Sequence, residues 1–137
     1  MPLKITQPTF SYLERIIMLP KLRLGFIDYF KPIDEFFIEM LSKDFDIVRD
    51  DENPDYVIFC DQNFGNANSK FNDRNVIKIF YTGENARPYN CHFSISFEHH
   101  EGPNYRLPLY VVDNWVNTTK LGLSDIRDVR RDSSAND

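Results

Sequence analysis

Thr82-Gly83-Glu84-Asn85 stands where an apolar stretch, Val76 to Thr82, breaks off, and Arg87-Pro88 follows close behind. A glutamate works as a general base when it is held against the proton it takes and when burial strengthens it. Gly83 permits a sharp turn and the close approach of another group. At the carboxyl end of a strand in an open α/β sheet, such a turn faces the crevice where ligands gather. Glu84 is thus the candidate acceptor of a hydroxyl proton. Arg87, three residues on, is the candidate to orient it or to hold a substrate oxygen. The plainer reading is a turn that caps a following helix, and spacing alone leaves it open.

Other chemistry-bearing groups read more simply. Glu98, His99, His100 and Glu101 are residue types that hold metals, but adjacent histidines point to opposite sides of an extended segment, and no other His or Cys has matching spacing. A solvated loop is expected there, with no metal and no cofactor. Asp50, Asp51, Glu52 and Asp55 surround Pro54 and read as a charged turn. Arg127, Arg130 and Arg131 alternate with Asp125, Asp128 and Asp132, the pattern of a solvated helix face. Phe36-Phe37 and Phe80-Tyr81 are core-type pairs, although Tyr81 is placed to stack on a sugar ring. No Walker-type loop and no recognisable Ser-His-Asp signature occurs.

The elements that would position Glu84 alternate along the chain. Leu22 to Phe30 reads as a strand. Ile33 to Lys43 reads as a helix, with Ile33, Phe36, Phe37, Met40 and Leu41 at helical period and Pro32 as its starter. Phe45 to Asp50 is a short strand. Asp55 to Cys60 is a near-continuous apolar strand of the type buried on both faces. Asp61 to Asn75 is polar and reads as a loop with at most a short helical turn. Val76 to Thr82 and His92 to Glu98 are further strands. Tyr105 to Val112 reads as extended, confined by Pro108 to an edge or an irregular run. Ser124 to Asp137 reads as a frayed helix and a disordered tail. Strand, helix and then strands with short connections predict an α/β fold with a parallel or mostly parallel sheet flanked by helices.

The chain has 137 residues, enough for one hydrophobic core, and 42% of them are apolar with 15% aromatic. A formal net charge of -5 argues against a nucleic-acid partner. No window nears the roughly 18 apolar residues of a membrane span. The N-terminal twenty residues lack the apolar core of a signal peptide, because Glu14 and Arg15 interrupt it. Cys60 and Cys91 read as two free thiols, which places the protein in a reducing, cytoplasmic interior. Asn117-Thr118-Thr119 matches a glycosylation sequon by chance on that reading.

A block of residues beyond spacing and composition is informative. Phe80-Tyr81-Thr82-Gly83-Glu84-Asn85 with Arg87-Pro88, then Ser94-Ile95-Ser96-Phe97, then Arg106-Leu107-Pro108-Leu109-Tyr110, resembles the acceptor-side signature of the α-1,3-fucosyltransferases, glycosyltransferase family 10. The upstream Pro54-Asp55-Tyr56-Val57-Ile58-Phe59 resembles a strand of the same family. The similarity covers about residues 21 to 112.

The resemblance implies a Rossmann-like domain, one half of a GT-B enzyme, with residues 1-20 as an extension and 113-137 as a charged tail. It implies transfer of L-fucose from GDP-fucose to a hydroxyl of an acceptor glycan, of N-acetyllactosamine type, with inversion. Glu84 would be the catalytic base, and Tyr81, Asn85, Arg87 and Arg106 would shape the substrate crevice. The family carries Asp where this chain has His92. Its GDP-fucose site lies in a second domain with motifs of the F-E-N-S and G-Y-V-T-E-K kind, which do not occur here. The expectation is a domain inactive alone: a fragment, a half whose partner domain lies on another chain, or a domain that has lost catalysis and kept a binding role. The alternatives are a non-catalytic carbohydrate-binding or protein-interaction domain, or a truncated gene product.

Overall fold

The computed structural model describes residue 9, residues 11–98 and residues 102–119. A short helix α1 (Tyr12–Met18) precedes β1 (Lys21–Ile27), α2 (Ile33–Leu41), β2 (Asp46–Arg49), β3 (Tyr56–Phe59), β4 (Ile77–Tyr81), β5 (Phe93–Ser96), β6 (Asn104–Arg106) and α3 (Leu109–Thr119). Between β3 and β4 the chain makes two 3₁₀ turns, Gln62–Phe64 and Ala67–Phe71. The six strands form one sheet in the order β2-β1-β3-β4-β5-β6, every neighbouring pair parallel. This is an α/β, Rossmann-like fold, and all carboxyl ends lie on one edge of the sheet. The strand order reverses direction between β1 and β3, the kind of point where such sheets bind ligands.

Alternate strand residues divide into two layers. Leu24, Phe26, Ile58, Cys60 and Tyr81 face α2 and α3 and form the larger core with Ile33, Phe36, Phe37 and Val112. Phe36 meets Trp115 of α3 edge to face at 5.6 Å. Val57, Phe71 and Val76 form a smaller core on the opposite side, where Phe59, Phe80 and Tyr89 pack edge to face at 5.6–5.7 Å. Such ring pairs add roughly 0.5–1.5 kcal/mol each beyond the area they bury.

Parallel strands ordinarily need a crossover of a dozen or more residues, yet β2 reaches β3 in the few residues between Arg49 and Tyr56. Stagger makes this feasible. β2 pairs with Lys21 to Leu24, and β3 pairs with Leu24 to Ile27. The chain therefore crosses β1 at its midpoint. Asp50 N–H donates to Leu24 O and Asp55 N–H donates to Arg23 O, both at 3.0 Å. Phe26 N–H donates to the Asp51 carboxylate at 3.0 Å. The acidic turn is thus a bridge over β1 rather than a merely solvated run, and Asp50 closes it by accepting from the N–H groups of Glu52 and Asn53. Gly25 lies under the crossing. A Cβ there would sit 2.7 Å from the Asp50 backbone oxygen and 3.1 Å from Pro54. Backbone cannot yield as a side chain can, so Gly25→Ala is expected to cost about 2–3 kcal/mol. Urea unfolding followed by circular dichroism measures it, and a loss below about 0.5 kcal/mol would show that the crossing is loose.

One expectation is corrected. Tyr105 to Val112 is not extended throughout: β6 ends at Arg106, and a helix starts at Leu109, directly after Pro108. Proline suits a helix start, where its missing N–H removes no intrahelical bond. The helix runs past residue 112 to Thr119 and brings Trp115 and Val116 onto the core. The expected frayed helix and tail from Ser124, the basic cluster at Arg127, Arg130 and Arg131, and the pair His99-His100 lie outside the described residues.

Candidate functional site

β4 ends at Tyr81, and the chain turns at once. Thr82 is buried, and its N–H donates to Ile95 O of β5 at 3.0 Å. The Thr82 hydroxyl then takes the Glu84 N–H at 3.1 Å. Ala86 N–H donates to Glu84 O at 2.8 Å. Local backbone bonds thus fix the turn and leave the Glu84 side chain projecting into solvent. No helix follows before β5, so the cap alternative is half right: Thr82 closes a turn, but the turn starts no helix. Gly83 is buried, and a Cβ on it would meet the flexible end of Leu109 at 2.8 Å.

Glu84, Asn85, Ala86, Arg87 and Tyr89 line one wall of an open cleft of about 540 Å³. The facing wall comes from the carboxyl end of β3: Asp61, Gln62 and Asn63. Asp61 is mostly buried and accepts from Asn63 N–H at 2.9 Å, which shapes that wall. Two carboxylates, four amide or guanidinium side chains and one phenol thus share a cleft at the sheet's carboxyl edge. Planar polar groups around an aromatic edge suit a ligand bearing several hydroxyls.

The expected site residues divide. Glu84, Asn85 and Arg87 come together in the cleft. Among the described residues no ion pair joins Arg87 to Glu84, which leaves both side chains available to a ligand. Tyr81 is elsewhere: it is 1% exposed, edge-on to Phe37 at 5.4 Å, in the core beneath the turn. Burial pushes its hydroxyl well up, and it offers no ring face to a sugar. Arg106 is exposed at the carboxyl end of the edge strand β6, two strands from β4 and outside the cleft lining. Asp61, Gln62, Asn63 and Tyr89 escaped the sequence reading. Asp61 was within reach of it, being the first polar residue beyond an apolar strand, under the same rule that singled out Glu84.

Near the site, His92 has a clear task. Its Nδ1 accepts the Lys78 backbone N–H at 2.9 Å, and its own N–H donates to Lys78 O. This joins the start of β5 to β4. A carboxylate at this position offers the same acceptor. Cys60 and Cys91 are free, and burial pushes the Cys60 thiol up to about 12, so it is an inert core group. Among the described residues no three metal-ligating side chains cluster, and no helix is long and apolar enough to cross a membrane.

An open, all-parallel sheet with a polar cleft at its carboxyl edge defines a Rossmann-like domain. Residues 23–113 match the family described as the α-(1,3)-fucosyltransferase FucT N-terminal domain, and the chain belongs to that family. Among solved structures it is similar to an α1,3-fucosyltransferase at 23% identity and a TM-score of 0.56, over 77% of this chain and 32% of that one. A structure of α1,3-fucosyltransferase with GDP aligns at 24% identity and a TM-score of 0.49, over 68% of this chain and 28% of that one. The chain thus spans about a third of the length of the fucosyltransferases it matches. No curated protein matches it.

Proposed function

We propose that these residues form the acceptor-side half of an inverting fucosyltransferase of GT-B type, and that Glu84 is its general base. The observation that carries this reading is the shared cleft: Glu84, Asn85 and Arg87 converge there with Asp61 at the sheet's carboxyl edge. In the reaction the acceptor hydroxyl gives its proton to Glu84 while its oxygen bonds to the anomeric carbon of fucose. The bond from that carbon to the GDP oxygen breaks, and the pair of electrons leaves with GDP. Because attack and departure occur on opposite faces, one base suffices and the centre inverts.

Glu84 is exposed. The desolvation that would strengthen it comes, on this reading, from a GDP-fucose-binding half closing over the cleft. Turnover therefore requires that half, in the same polypeptide or another. The two free thiols favour a reducing, cytoplasmic setting.

Two measurements test the reading. The purified 137-residue chain, given labelled GDP-fucose and N-acetyllactosamine, is expected to transfer nothing. Clear turnover would overturn the need for a second half. Titration of the same chain with N-acetyllactosamine, followed by NMR, is expected to shift the amides of Asp61 to Asn63 and of Glu84 to Tyr89. Shifts confined to other surfaces, or none at millimolar glycan, would remove the acceptor assignment.

A further inference from the structure

Lys78 is the one residue of β4 whose charge contradicts its surroundings. It is 2% exposed, in a strand otherwise made of Ile77, Ile79, Phe80 and Tyr81. An ammonium is among the costliest groups to remove from water, and it persists inside only where its protons are bonded. Here they are. Nζ donates to Asn68 Oδ1 and to Asn72 Oδ1, each at 2.8 Å, and lies 4.8 Å from the centre of the Phe59 ring. Burial still draws the amine below its ordinary value.

Both asparagines belong to the 61–75 segment, which carries the first wall of the cleft, and both reach the second. Asn68 is fully buried, and its N–H and Nδ2 donate to the Asp28 carboxylate at 2.7 and 2.8 Å. Its Nδ2 also lies 3.5 Å from the hydroxyl of Tyr89, a residue of the second wall. Asn72 Oδ1 accepts at once from Lys78 and, at 2.9 Å, from Nδ2 of Asn90. Asn90 directly follows Tyr89 and holds a left-handed φ of 50°, a conformation that asparagine tolerates better than most residues. Tyr89 in turn packs against Phe59, the ring beneath Nζ.

We infer that Lys78 is a positioning residue of the cleft, its buried ammonium holding the 61–75 and 82–90 walls at a fixed separation through Asn68 and Asn72. Without it the two amide oxygens lose their common donor, and the walls lose the point they share. The statement about the walls stands on geometry alone. Its consequence for ligand affinity rests on the acceptor reading above.

Hydrogen exchange read by mass spectrometry on the whole chain tests this with two variants. Asn72 is exposed, so Asn72→Ala is expected to fold. Although the substitution lies in the first wall, peptides covering residues 82–91 should then exchange about fivefold faster, with β1 and β3 at wild-type rates. In Lys78→Met both wall segments should accelerate together. Wild-type exchange of 82–91 in Asn72→Ala overturns the inference, and so does uniform acceleration of the whole sheet in Lys78→Met, the mark of a lysine that only stabilises. If Lys78→Met does not fold, Asn72→Ala decides alone.

Titration with N-acetyllactosamine separates the two readings. Weaker binding by Asn72→Ala than by wild type supports the coupling of wall position to affinity. Equal binding despite faster exchange overturns that consequence. Faster exchange in a protein whose wild type binds no glycan upholds the positioning role and sinks the acceptor reading instead.

Discussion

Glu84→Gln, in a protein that joins these residues to a GDP-fucose-binding half, is expected to lower fucose transfer to N-acetyllactosamine by roughly 10²–10⁴-fold, the usual reach of a positioned general base. Glutamine keeps the shape of the side chain and an acceptor oxygen, but it cannot hold the proton. The turn does not depend on the carboxylate, since it is closed by the Thr82 hydroxyl accepting from Glu84 N–H and by Ala86 N–H donating to Glu84 O. Folding should therefore be unchanged, and acceptor KM should move by no more than about threefold while kcat collapses. Steady-state kinetics with labelled GDP-fucose supplies both constants. A variant that keeps most of its kcat would disqualify Glu84. The next carboxylate to replace is then Asp61, which lines the facing wall of the same cleft. Loss of transfer in Asp61→Asn but not in Glu84→Gln would move the base across the cleft.

The second large effect concerns stability. Asp34, in the first turn of α2, is 2% exposed, and Arg49 of β2 donates to its Oδ2 at 2.7 Å. The other oxygen, Oδ1, is buried without a hydrogen-bond partner among the described residues. Arg49 also lies over the Phe26 and Tyr29 rings at 5.1 and 5.8 Å and donates to the Tyr29 hydroxyl at 2.9 Å. Arg49→Met keeps much of the apolar packing but leaves a buried carboxylate without its ion-pair partner, held only by weaker donors such as the Tyr29 hydroxyl at 3.4 Å. Breaking a fully buried pair costs about 3–5 kcal/mol. Arg49 is itself more than a third exposed, so water screens part of the interaction and about 2–3 kcal/mol is expected. Adding Asp34→Leu should recover part of the loss, because no charge is then left inside. A double variant less stable than Arg49→Met alone would show that the ring contacts of the guanidinium matter more than the carboxylate.

The pH dependence follows from the same pair. Burial pushes the Asp34 carboxyl up, but the hydrogen bond from Arg49, a backbone hydrogen bond from Glu35 and the charges of Arg49 and Lys31 together more than offset it and hold the group below its ordinary range. Stability from a depressed carboxyl is fully present above its unfolded pKa of about 3.9 and is lost as pH falls through the folded value. In Arg49→Met both lowering contributions from Arg49 are gone. Only the Glu35 backbone N–H, the Lys31 charge and the Tyr29 hydroxyl still favour the carboxylate, and the protonated acid becomes easier for the site to tolerate. The gap between wild type and variant should therefore be widest near neutral pH and should narrow on acidification. Unfolding curves at several pH values read this directly, and a gap that widens in acid would contradict it.

The sheet was legible because strands covered on both faces read as apolar runs. Tyr56 to Phe59 and Ile77 to Tyr81 carry that pattern without needing context, and Ile33 to Leu41 carries a helical period. Pro108 pointed to an edge, and β6 is the edge strand. The same proline reads in sequence as lying within an extended run, whereas it precedes a helix start, because its role there depends on what the helix packs against. α3 exists for the face that Val112, Trp115 and Val116 lay on the core, and its own sequence shows only part of that.

Glu84, Asn85 and Arg87 could be singled out along the chain, since one turn places them and a turn is a local event. Their cleft could not. Its other wall is contributed by Asp61 to Asn63, and only the pairing of β3 with β4 brings the two loops side by side. Tyr81 went to the core rather than to the cleft for a related reason: the sheet alternates its side chains, and strand register assigned that ring to the helix-covered face. Gly25 needs to be glycine because a distant turn crosses above it, and Lys78 can be buried because two asparagines from a preceding loop meet its amine. The sequence alone determined which segments form strands and where the chain must turn, because those follow from local backbone preference and hydrophobic period. Tertiary structure alone decided which turns share a cleft, which charge could be buried and which ring was withdrawn, because each depends on groups far apart in the chain meeting at a few ångströms.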